Sequence, residues 1–204
     1  LWRDIWLMVL GIIQPGQIRR NPGLRLIAQL ALATVPLVIA GYVIYRYAGS
    51  ALRSAEVVGW SMLGFGALLY FADRYTVTIN RLEHMTWGRA FLIGIAQIFA
   101  LIPGASRAGT TITMSRFLGF ERTDAARFSM LLSIPAIFAS GGAVTRDLID
   151  SGAEHVLADA MVAGAMSFFA AFIAVVLMMR WLRRASFTPF VIYRFALGGL
   201  ILAW

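Results

Sequence analysis

The sequence has 204 residues, of which 60% are hydrophobic and only 14% are charged, and its mean hydropathy is +0.76. Water-soluble domains are far less apolar, so this composition excludes an ordinary soluble enzyme and predicts an integral membrane protein. The net charge is +8, but all 18 basic residues are arginine and they are scattered between apolar stretches, which argues against nucleic acid and favours the lipid bilayer as a partner.

Five apolar stretches are candidates for membrane-spanning helices, since a span needs about 20 apolar residues. In chain order they are Leu24 to Tyr45, Val57 to Ala72, Phe128 to Val144, Ala158 to Met179 and Phe187 to Trp204. The stretch from Leu1 to Ile13 is short and has no Met start, so we expect the N-terminal part of the protein to be missing here. No linker or soluble domain is visible, which predicts a single membrane domain over residues 1–204.

The arginines predict the orientation of these helices, because basic residues accumulate in inner loops. If Leu24 to Tyr45 runs outward, twelve arginines fall in inner loops and three in outer loops. The inner group is Arg19, Arg20, Arg25, Arg74, Arg81, Arg89, Arg116, Arg122, Arg127, Arg180, Arg183 and Arg184, and the outer group is Arg46, Arg53 and Arg146.

This alternation requires a sixth stretch, Trp87 to Leu118, to enter from the inner side and return to it. We therefore predict an all-α polytopic membrane protein with about five full spans and a re-entrant helix–loop–helix hairpin over about residues 87–118. Irregular backbone at membrane depth is tolerated only where protein or a watery cavity surrounds it, so the hairpin tip is a candidate functional site.

The residues at the predicted hairpin tip are suited to phosphate. Pro103 and Gly104 end the first helix and permit a tight turn. Ser106, Thr110 and Thr111 offer hydroxyls near the start of the second helix, where unpaired N–H groups and the helix dipole favour an anion. Arg107 adds a planar set of donors that matches phosphate oxygens.

A capped turn between two helices that binds no ligand has the same hydroxyls, so a purely structural role remains open for them. A charge inside a membrane hairpin costs on the order of 2.5 to 3.5 kcal/mol, which favours a functional task for Arg107. Gln97 serves equally well as a hydrogen-bonded link between helices. Arg194 lies in an apolar span but near Thr188 and Pro189, so we expect it to snorkel to the inner interface.

Metal ligands are scarce in the sequence. Cysteine is absent, and His84 and His155 have no ligand spacing around them. We expect every acidic residue to fall in a loop or at the end of a segment and none at membrane depth. They are Asp4, Glu56, Asp73, Glu83, Glu121, Asp124, Asp147, Asp150, Glu154 and Asp159.

Three segments of the sequence form a distinctive combination: residues 96–112 read AQIFALIPGASRAGTTI, residues 126–136 read ARFSMLLSIPA and residues 186–195 read SFTPFVIYRF. Together they resemble the bacterial undecaprenyl pyrophosphate phosphatase family of the bacitracin-resistance type. The resemblance covers most of the chain from about Leu24 onward, and the combination is far more specific than one short motif.

The resemblance implies an inner-membrane enzyme that removes the terminal phosphate from undecaprenyl pyrophosphate, giving the carrier lipid for peptidoglycan and other envelope polymers. It also implies an inverted repeat with two re-entrant hairpins that meet at a site open to the periplasmic side. Arg107 and Ser106 become the catalytic candidates by this resemblance. The implied phosphate-binding set is Gly104, Ser106, Arg107, Gly109, Thr111 and Gln97.

Two departures from the family pattern stand out. Ala108 replaces the Ser that usually follows the Arg, and the family's upstream acidic motif, a Glu-rich helix leading into a Ser-Ser and His turn, has no counterpart. We expect carboxylates from the missing N-terminal part to hold a divalent cation, Mg²⁺, or to act as acid and base. The fragment alone should then be inactive, and Ser106 as a nucleophile lacks a His or carboxylate to activate it.

Two other classes of function remain open at this stage. Broken helices at the bilayer midplane also build secondary transporters, so a transporter or translocase of a lipid-linked or anionic phosphate is the alternative. A membrane scaffold without chemistry is a third interpretation, in which a structural carboxylate pairs with Arg107. Assembly into a homo-oligomer is open as well.

Overall fold

A computed structural model describes residues 1–13, 21–47, 54–150 and 154–204. The described part of the chain is helical, as predicted, apart from one isolated bridge between Asn80 and Phe120. Short 3-10 helices cover Leu82–His84 and Phe99–Leu101. The described residues form eight α-helices, which are α1 Trp2–Ile13, α2 Pro22–Tyr47, α3 Ala55–Tyr75, α4 Trp87–Ile98, α5 Arg107–Phe117, α6 Arg122–Asp150, α7 Glu154–Leu182 and α8 Thr188–Ala203.

Three helical segments among the described residues are long and apolar enough to cross a membrane. They are Pro22–Ile44, Ala55–Tyr75 and Ala160–Leu182, which match three of the five predicted spans. The most apolar part of the third segment is entirely unburied within the fold, as expected for a helix that faces lipid. The chain is therefore a membrane protein, while the other two predicted spans, in α6 and α8, stay predictions.

The stretch from Trp87 to Leu118 forms a helical hairpin, as predicted, made of α4, a turn and α5. The two ends of this hairpin meet at its base. Ile79 N and Asn80 N both donate to Gly119 O, at 3.0 and 2.9 Å, and Glu121 N donates back to Asn80 O at 2.9 Å. The chain therefore enters and leaves the hairpin at the same level of the fold.

Helix α5 is polar and yet lies in the middle of the fold. Its buried residues include Thr110, Thr111, Thr113 and Ser115. Each of these hydroxyls donates to a carbonyl one turn earlier in α5, at 2.7 to 3.0 Å. A buried polar group costs free energy unless it is hydrogen-bonded, so this pattern lets a hydroxyl-rich helix lie among apolar neighbours. The buried apolar cluster to which Ile112 of α5 belongs also includes Leu30, Ile93, Phe128, Leu131 and Leu132.

The ends of four helices are joined near the hairpin base by Asp73, which is buried at the end of α3. Its Oδ1 lies 2.7 Å from Arg122 Nε at the start of α6 and 3.1 Å from Arg116 Nε in α5. Its Oδ2 accepts a hydrogen bond from Phe187 N, just before α8, at 3.3 Å. We call Asp73, Arg116, Arg122 and the Phe187 N–H the Asp73 cluster.

Helices α3 and α8 pack closely along each other because both carry glycine at the contact. A Cβ on Gly59 would lie 3.3 Å from Gly198 O, and one on Gly198 would lie 3.1 Å from Gly59 O. This close approach fixes the position of α8 and brings Arg194 toward the turn of the hairpin.

Candidate active site

The hairpin turn is fastened to α3 at Val58 and Ser61. Ser61 Oγ donates to Pro103 O at 2.5 Å, and Ala105 N closes the turn by donating to Ile102 O at 3.1 Å. Gly104 has a φ of +89°. A Cβ there would lie 2.5 Å from Val58 O, so both the backbone conformation and the lack of space require glycine at this position.

Ser106 is the N-cap residue just before α5 and has an unusual conformation, with φ 66° and ψ 118°. A positive φ costs a non-glycine residue on the order of 1 to 3 kcal/mol and persists only where the surrounding structure enforces it. The side chain caps the helix by accepting a hydrogen bond from Gly109 N at 3.3 Å. The Ser106 side chain is also exposed, so its hydroxyl is held at the helix start and remains open to a ligand.

Arg107 is the first residue of α5 and is half-buried. Its Nη1 is buried and has no hydrogen-bond partner among the described residues. None of the ion pairs in the described part of the chain includes Arg107 or Arg194. The guanidinium therefore keeps donors available for an anion at the positive end of the helix.

Arg194 also lies at this turn, and the prediction that it snorkels to the inner interface is wrong. It is only 7% exposed. Its Nη2 donates to Gly104 O at 2.8 Å and to Ala105 O at 2.9 Å, and its Nε donates to Met62 O at 3.4 Å. The backbone carbonyls of the turn stabilise the charge at depth, so the side chain has no need to reach the interface.

The same arginine lies close to Gly109. A Cβ on Gly109 would lie 2.8 Å from Arg194 Nη1, closer than real contacts allow. Gly109 thus leaves room for a second guanidinium beside the start of α5. The turn consequently carries two positive side chains and a helix N-terminus within one small region.

Gln97, in the last turn of α4, is fully buried. Neither its Nε2 nor its Oε1 has a hydrogen-bond partner among the described residues. The predicted link between helices through this side chain is therefore absent from the described part of the structure. An amide left unpaired in an apolar interior is costly, which indicates that a group outside the described residues completes it.

Thr111 differs from the other expected phosphate ligands, because it is 1% exposed and faces α6. Its Oγ1 lies 2.9 Å from Arg107 O and 2.6 Å from Ser129 Oγ. Ser129 belongs to the motif over residues 126–136, but the sequence analysis gave it no role in the site. Its hydroxyl in an apolar stretch could have marked it as a candidate. Its contact with Thr111 could not be predicted, because this contact depends on how α5 and α6 pack.

Apart from Glu56, which is exposed in the first turn of α3, the acids whose side chains the structure describes lie away from the turn, at the hairpin base. Besides Asp73, Asp4 and Asp124 both pair there with Arg127. Burial of the Asp4 carboxyl opposes its ionisation, but the hydrogen bonds and charge of Arg127 outweigh burial, and the pKa of Asp4 lies below its usual value. The side chains of the acids from Asp147 to Asp159 lie outside the described residues.

The turn does not fit a Mg²⁺ site by itself. No group of three or more His, Cys, Asp or Glu among the described residues is arranged to hold a metal ion. Mg²⁺ is bound through carboxylate and water oxygens, whereas the turn offers guanidinium, amide and hydroxyl groups. Arg107 and Arg194 would repel a cation and attract a phosphate.

Comparison with known proteins assigns the chain to a family. The family model described as bacitracin resistance protein BacA matches residues 1–200. The chain belongs to the BacA family. The hairpin turn with Arg107 is therefore a feature of a BacA family member, and the family resemblance found in the sequence is confirmed over nearly the whole chain.

Curated relatives in the BacA family share more than two fifths of their residues with this chain. Undecaprenyl-diphosphatase 1 of Rhodospirillum rubrum is 44% identical over 203 residues, which is 99% of this chain and 72% of that protein. The undecaprenyl-diphosphatase of Roseobacter denitrificans is 42% identical over 206 residues, covering 100% of this chain and 77% of the relative. That of Dinoroseobacter shibae is 44% identical over 204 residues, covering 98% and 75%.

Proposed function

We propose that this chain acts in an undecaprenyl-diphosphatase, which hydrolyses undecaprenyl pyrophosphate to undecaprenyl phosphate and inorganic phosphate. The observation that carries the proposal is the convergence of Arg107, Arg194 and the N-terminus of α5 at one turn inside a membrane protein of the BacA family. The product would return the carrier lipid to the synthesis of peptidoglycan and other envelope polymers.

The reaction transfers the terminal phosphoryl group to water, breaking the bond between its phosphorus and the bridging oxygen. Negative charge grows on the bridging oxygen as it leaves. Arg107, with its free Nη1, is suited to hold the phosphate oxygens and to stabilise that charge. Ser106 would present its hydroxyl to the same group, and its strained backbone would hold that hydroxyl in place.

The remaining members of the proposed phosphate site contribute either space for close packing or hydrogen-bonding groups. Gly104 and Gly109 allow the turn to lie against α3 and beside Arg194. Gln97 has a free amide on the neighbouring helix. On binding, this amide would donate to the substrate or to a group that contacts it, which would remove the cost of its burial.

We further propose that α4 and α5 form a re-entrant hairpin within a five-span inverted repeat of the bacterial inner membrane. The 15 residues from Trp87 to Leu101 rise by roughly 22 Å, short of the hydrocarbon thickness of about 30 Å. Arginines of the hairpin base would face the cytoplasm. The turn, which contacts Val58 and Ser61 near the start of α3, would open toward the periplasm.

A divalent cation, Mg²⁺, is a further part of the proposal. Since the described turn lacks carboxylates, its ligands would come from residues outside this sequence, as would an acid or base. No step above depends on it. The fragment on its own is then expected to be inactive, and self-association stays a prediction.

The decisive test is phosphate release from undecaprenyl pyrophosphate by the protein, expressed from its whole gene and purified in detergent, with and without Mg²⁺. Removing one donor that stabilises transition-state charge typically costs about 10²- to 10³-fold in rate, so we expect a loss of this size for Arg107→Ala. Arg183→Ala, which changes an exposed arginine next to α7, is the matched control and should keep full activity.

The outcome that would overturn the proposal is the absence of phosphate release by a wild-type protein whose fold is intact. Movement of the lipid-linked phosphate across vesicle membranes would then support the transporter alternative. An Arg107→Ala variant with wild-type activity would agree with a phosphatase but would contradict the role of Arg107 in its active site.

A further inference from the structure

One arrangement of the hydrogen bonds around Thr111 uses both hydroxyl hydrogens. Its Oγ1 lies 2.9 Å from Arg107 O and 3.2 Å from Ala108 O, and both of these carbonyls can only accept. A threonine hydroxyl has one hydrogen, which Thr111 gives to the backbone in this arrangement. Ser129 Oγ, 2.6 Å away, then donates to Thr111 Oγ1, although the distance alone allows either hydroxyl to be the donor.

This chain of bonds links two helices at the start of α5. Thr110, Thr113 and Ser115 donate only to carbonyls of α5 itself, whereas Thr111 also contacts α6. Ser129 is 4% exposed and lies beside the buried side chain of Phe128 in a closely packed part of α6. The position of Ser129 is consequently fixed by core packing, and the bond transmits this position to α5.

The acceptor at the end of the chain belongs to the residue that carries the free guanidinium. Arg107 O receives hydrogen bonds from both Thr110 and Thr111, which restrains the first turn of α5. The direction in which the Arg107 side chain leaves the helix depends on that turn. The capping hydroxyl of Ser106 depends on it as well, because Ser106 Oγ accepts from Gly109 N in the same turn.

We propose that Ser129 is a positioning residue for the phosphatase reaction, acting through Thr111 on the backbone of Arg107. In this role Thr111 orients the first turn of α5 from the buried face that packs against α6, and it does not contact the phosphate. This inference rests on the proposed function and departs from the expectation that Thr111 is a phosphate ligand. The reacting phosphate would contact Arg107 and Ser106, and the buried pair of Thr111 and Ser129 would hold these two residues in place.

The test compares steady-state kinetics of Ser129→Ala, Thr111→Val, Thr111→Ser and the double variant Thr111→Val with Ser129→Ala. The protein is expressed from its whole gene, and thermal unfolding is measured for each variant. We expect kcat to fall about fivefold to tenfold for Ser129→Ala and Thr111→Val, with KM within about twofold of wild type, since a single hydrogen bond contributes roughly 1 kcal/mol. Thr111→Ser keeps the hydroxyl and should retain at least about half of the activity.

Two further measurements separate positioning from general packing. The double variant should be no slower than Thr111→Val alone, because both changes interrupt one chain of bonds. Ser133→Ala is the matched control: its hydroxyl lies one turn further along α6 and donates to Met130 O of its own helix. This variant should be as active as wild type.

Several outcomes would overturn the positioning role. They are full activity of Ser129→Ala, losses that multiply in the double variant, and losses that follow lowered thermal stability in all variants. A raised KM in Thr111→Val with a wild-type KM in Ser129→Ala would make Thr111 a direct ligand. Wild-type protein that releases no phosphate contradicts the proposed function instead, and the positioning role falls with it.

Discussion

An arginine within an apolar helix can extend to the membrane surface or be satisfied by acceptors at depth. Arg194 does the second, because the hairpin turn presents the carbonyls of Gly104 and Ala105 to it. These carbonyls follow Pro103, whose turn leaves them outside any helix, and they would otherwise be unpaired in an apolar setting. The arginine and the turn therefore satisfy each other.

We predict that Arg194→Leu lowers the thermal unfolding midpoint and abolishes most phosphate release. The reason is that two carbonyls lose their donor, at a cost of about 1 to 3 kcal/mol for each buried group left unpaired. Arg194→Lys should have an unfolding midpoint and an activity between those of Arg194→Leu and wild type, since an ammonium is a single point charge and does not reproduce the guanidinium geometry.

The neighbouring Tyr193 provides the control for Arg194. Its side chain is 63% exposed, so Tyr193→Leu changes the size of a lipid-facing group without touching the turn. Unfolding and activity of this variant should match wild type. An Arg194→Leu protein that remained as stable and as active as Tyr193→Leu would contradict the role given to the arginine.

At the scale of helices, the hairpin combines a base that is closed by backbone hydrogen bonds with a tip fastened to α3. The bridge between Asn80 and Phe120 holds the entry and exit of the chain together. Neither α4, with 12 residues, nor α5, with 11 residues, is long enough to span a bilayer. We therefore expect the two ends of this hairpin to lie on one side of the membrane and its tip to face the other side.

The absence of cysteine from this sequence allows a direct test of this topology. Single-cysteine variants at Glu83, Thr123 and Ala108 would be labelled with a membrane-impermeant maleimide in right-side-out and inside-out vesicles. We expect Glu83→Cys and Thr123→Cys to react from the cytoplasmic side and Ala108→Cys from the periplasmic side. Labelling of residues 83 and 123 from opposite sides would mean that the segment between them crosses the membrane.

At the scale of the whole molecule, the Asp73 cluster joins parts of the chain that are distant in sequence. Asp73 contacts residues 43, 49 and 114 positions further along the chain, in or next to α5, α6 and α8. Arg116, which is 3% exposed at its side chain, depends on Asp73 for charge compensation. Removing one partner of a buried ion pair leaves the other charge buried and uncompensated.

We predict that Asp73→Asn lowers the free energy of unfolding by about 3 to 5 kcal/mol, because Arg116 then lacks its counter-charge. Thermal or denaturant unfolding in detergent measures this loss. The matched control is Glu121→Gln, which removes an ion pair with Arg81 whose side chains are 40% and 67% exposed. Exposed pairs contribute about 1 kcal/mol or less, so equal losses for the two variants would contradict the structural role of Asp73.

Local features were predictable from the sequence, because their causes lie close together in the chain. The break between α4 and α5 follows from Pro103 and Gly104, and the predicted hairpin from Trp87 to Leu118 agrees with the helices within a few residues. Arg107 was proposed as a site residue for a similar reason, since a charge in an apolar hairpin is conspicuous wherever it is packed.

Features that depend on packing could not be predicted in this way. Arg194 was placed by counting residues from Pro189, but its partners are carbonyls about ninety residues earlier, at Gly104 and Ala105. The bond between Thr111 and Ser129 likewise depends on which faces of α5 and α6 meet. Spacing along one helix carries no information about the rotation of another helix against it.

The contact between Arg194 and the turn has a consequence for biogenesis. During translation the turn leaves the ribosome 90 residues before Arg194 does, so the carbonyls of the turn emerge before the cation that satisfies them. In that interval the nascent site is incomplete and its exposed carbonyls need water or the translocon as temporary partners. The proposed phosphate site would therefore be assembled late, once α8 has packed against α3.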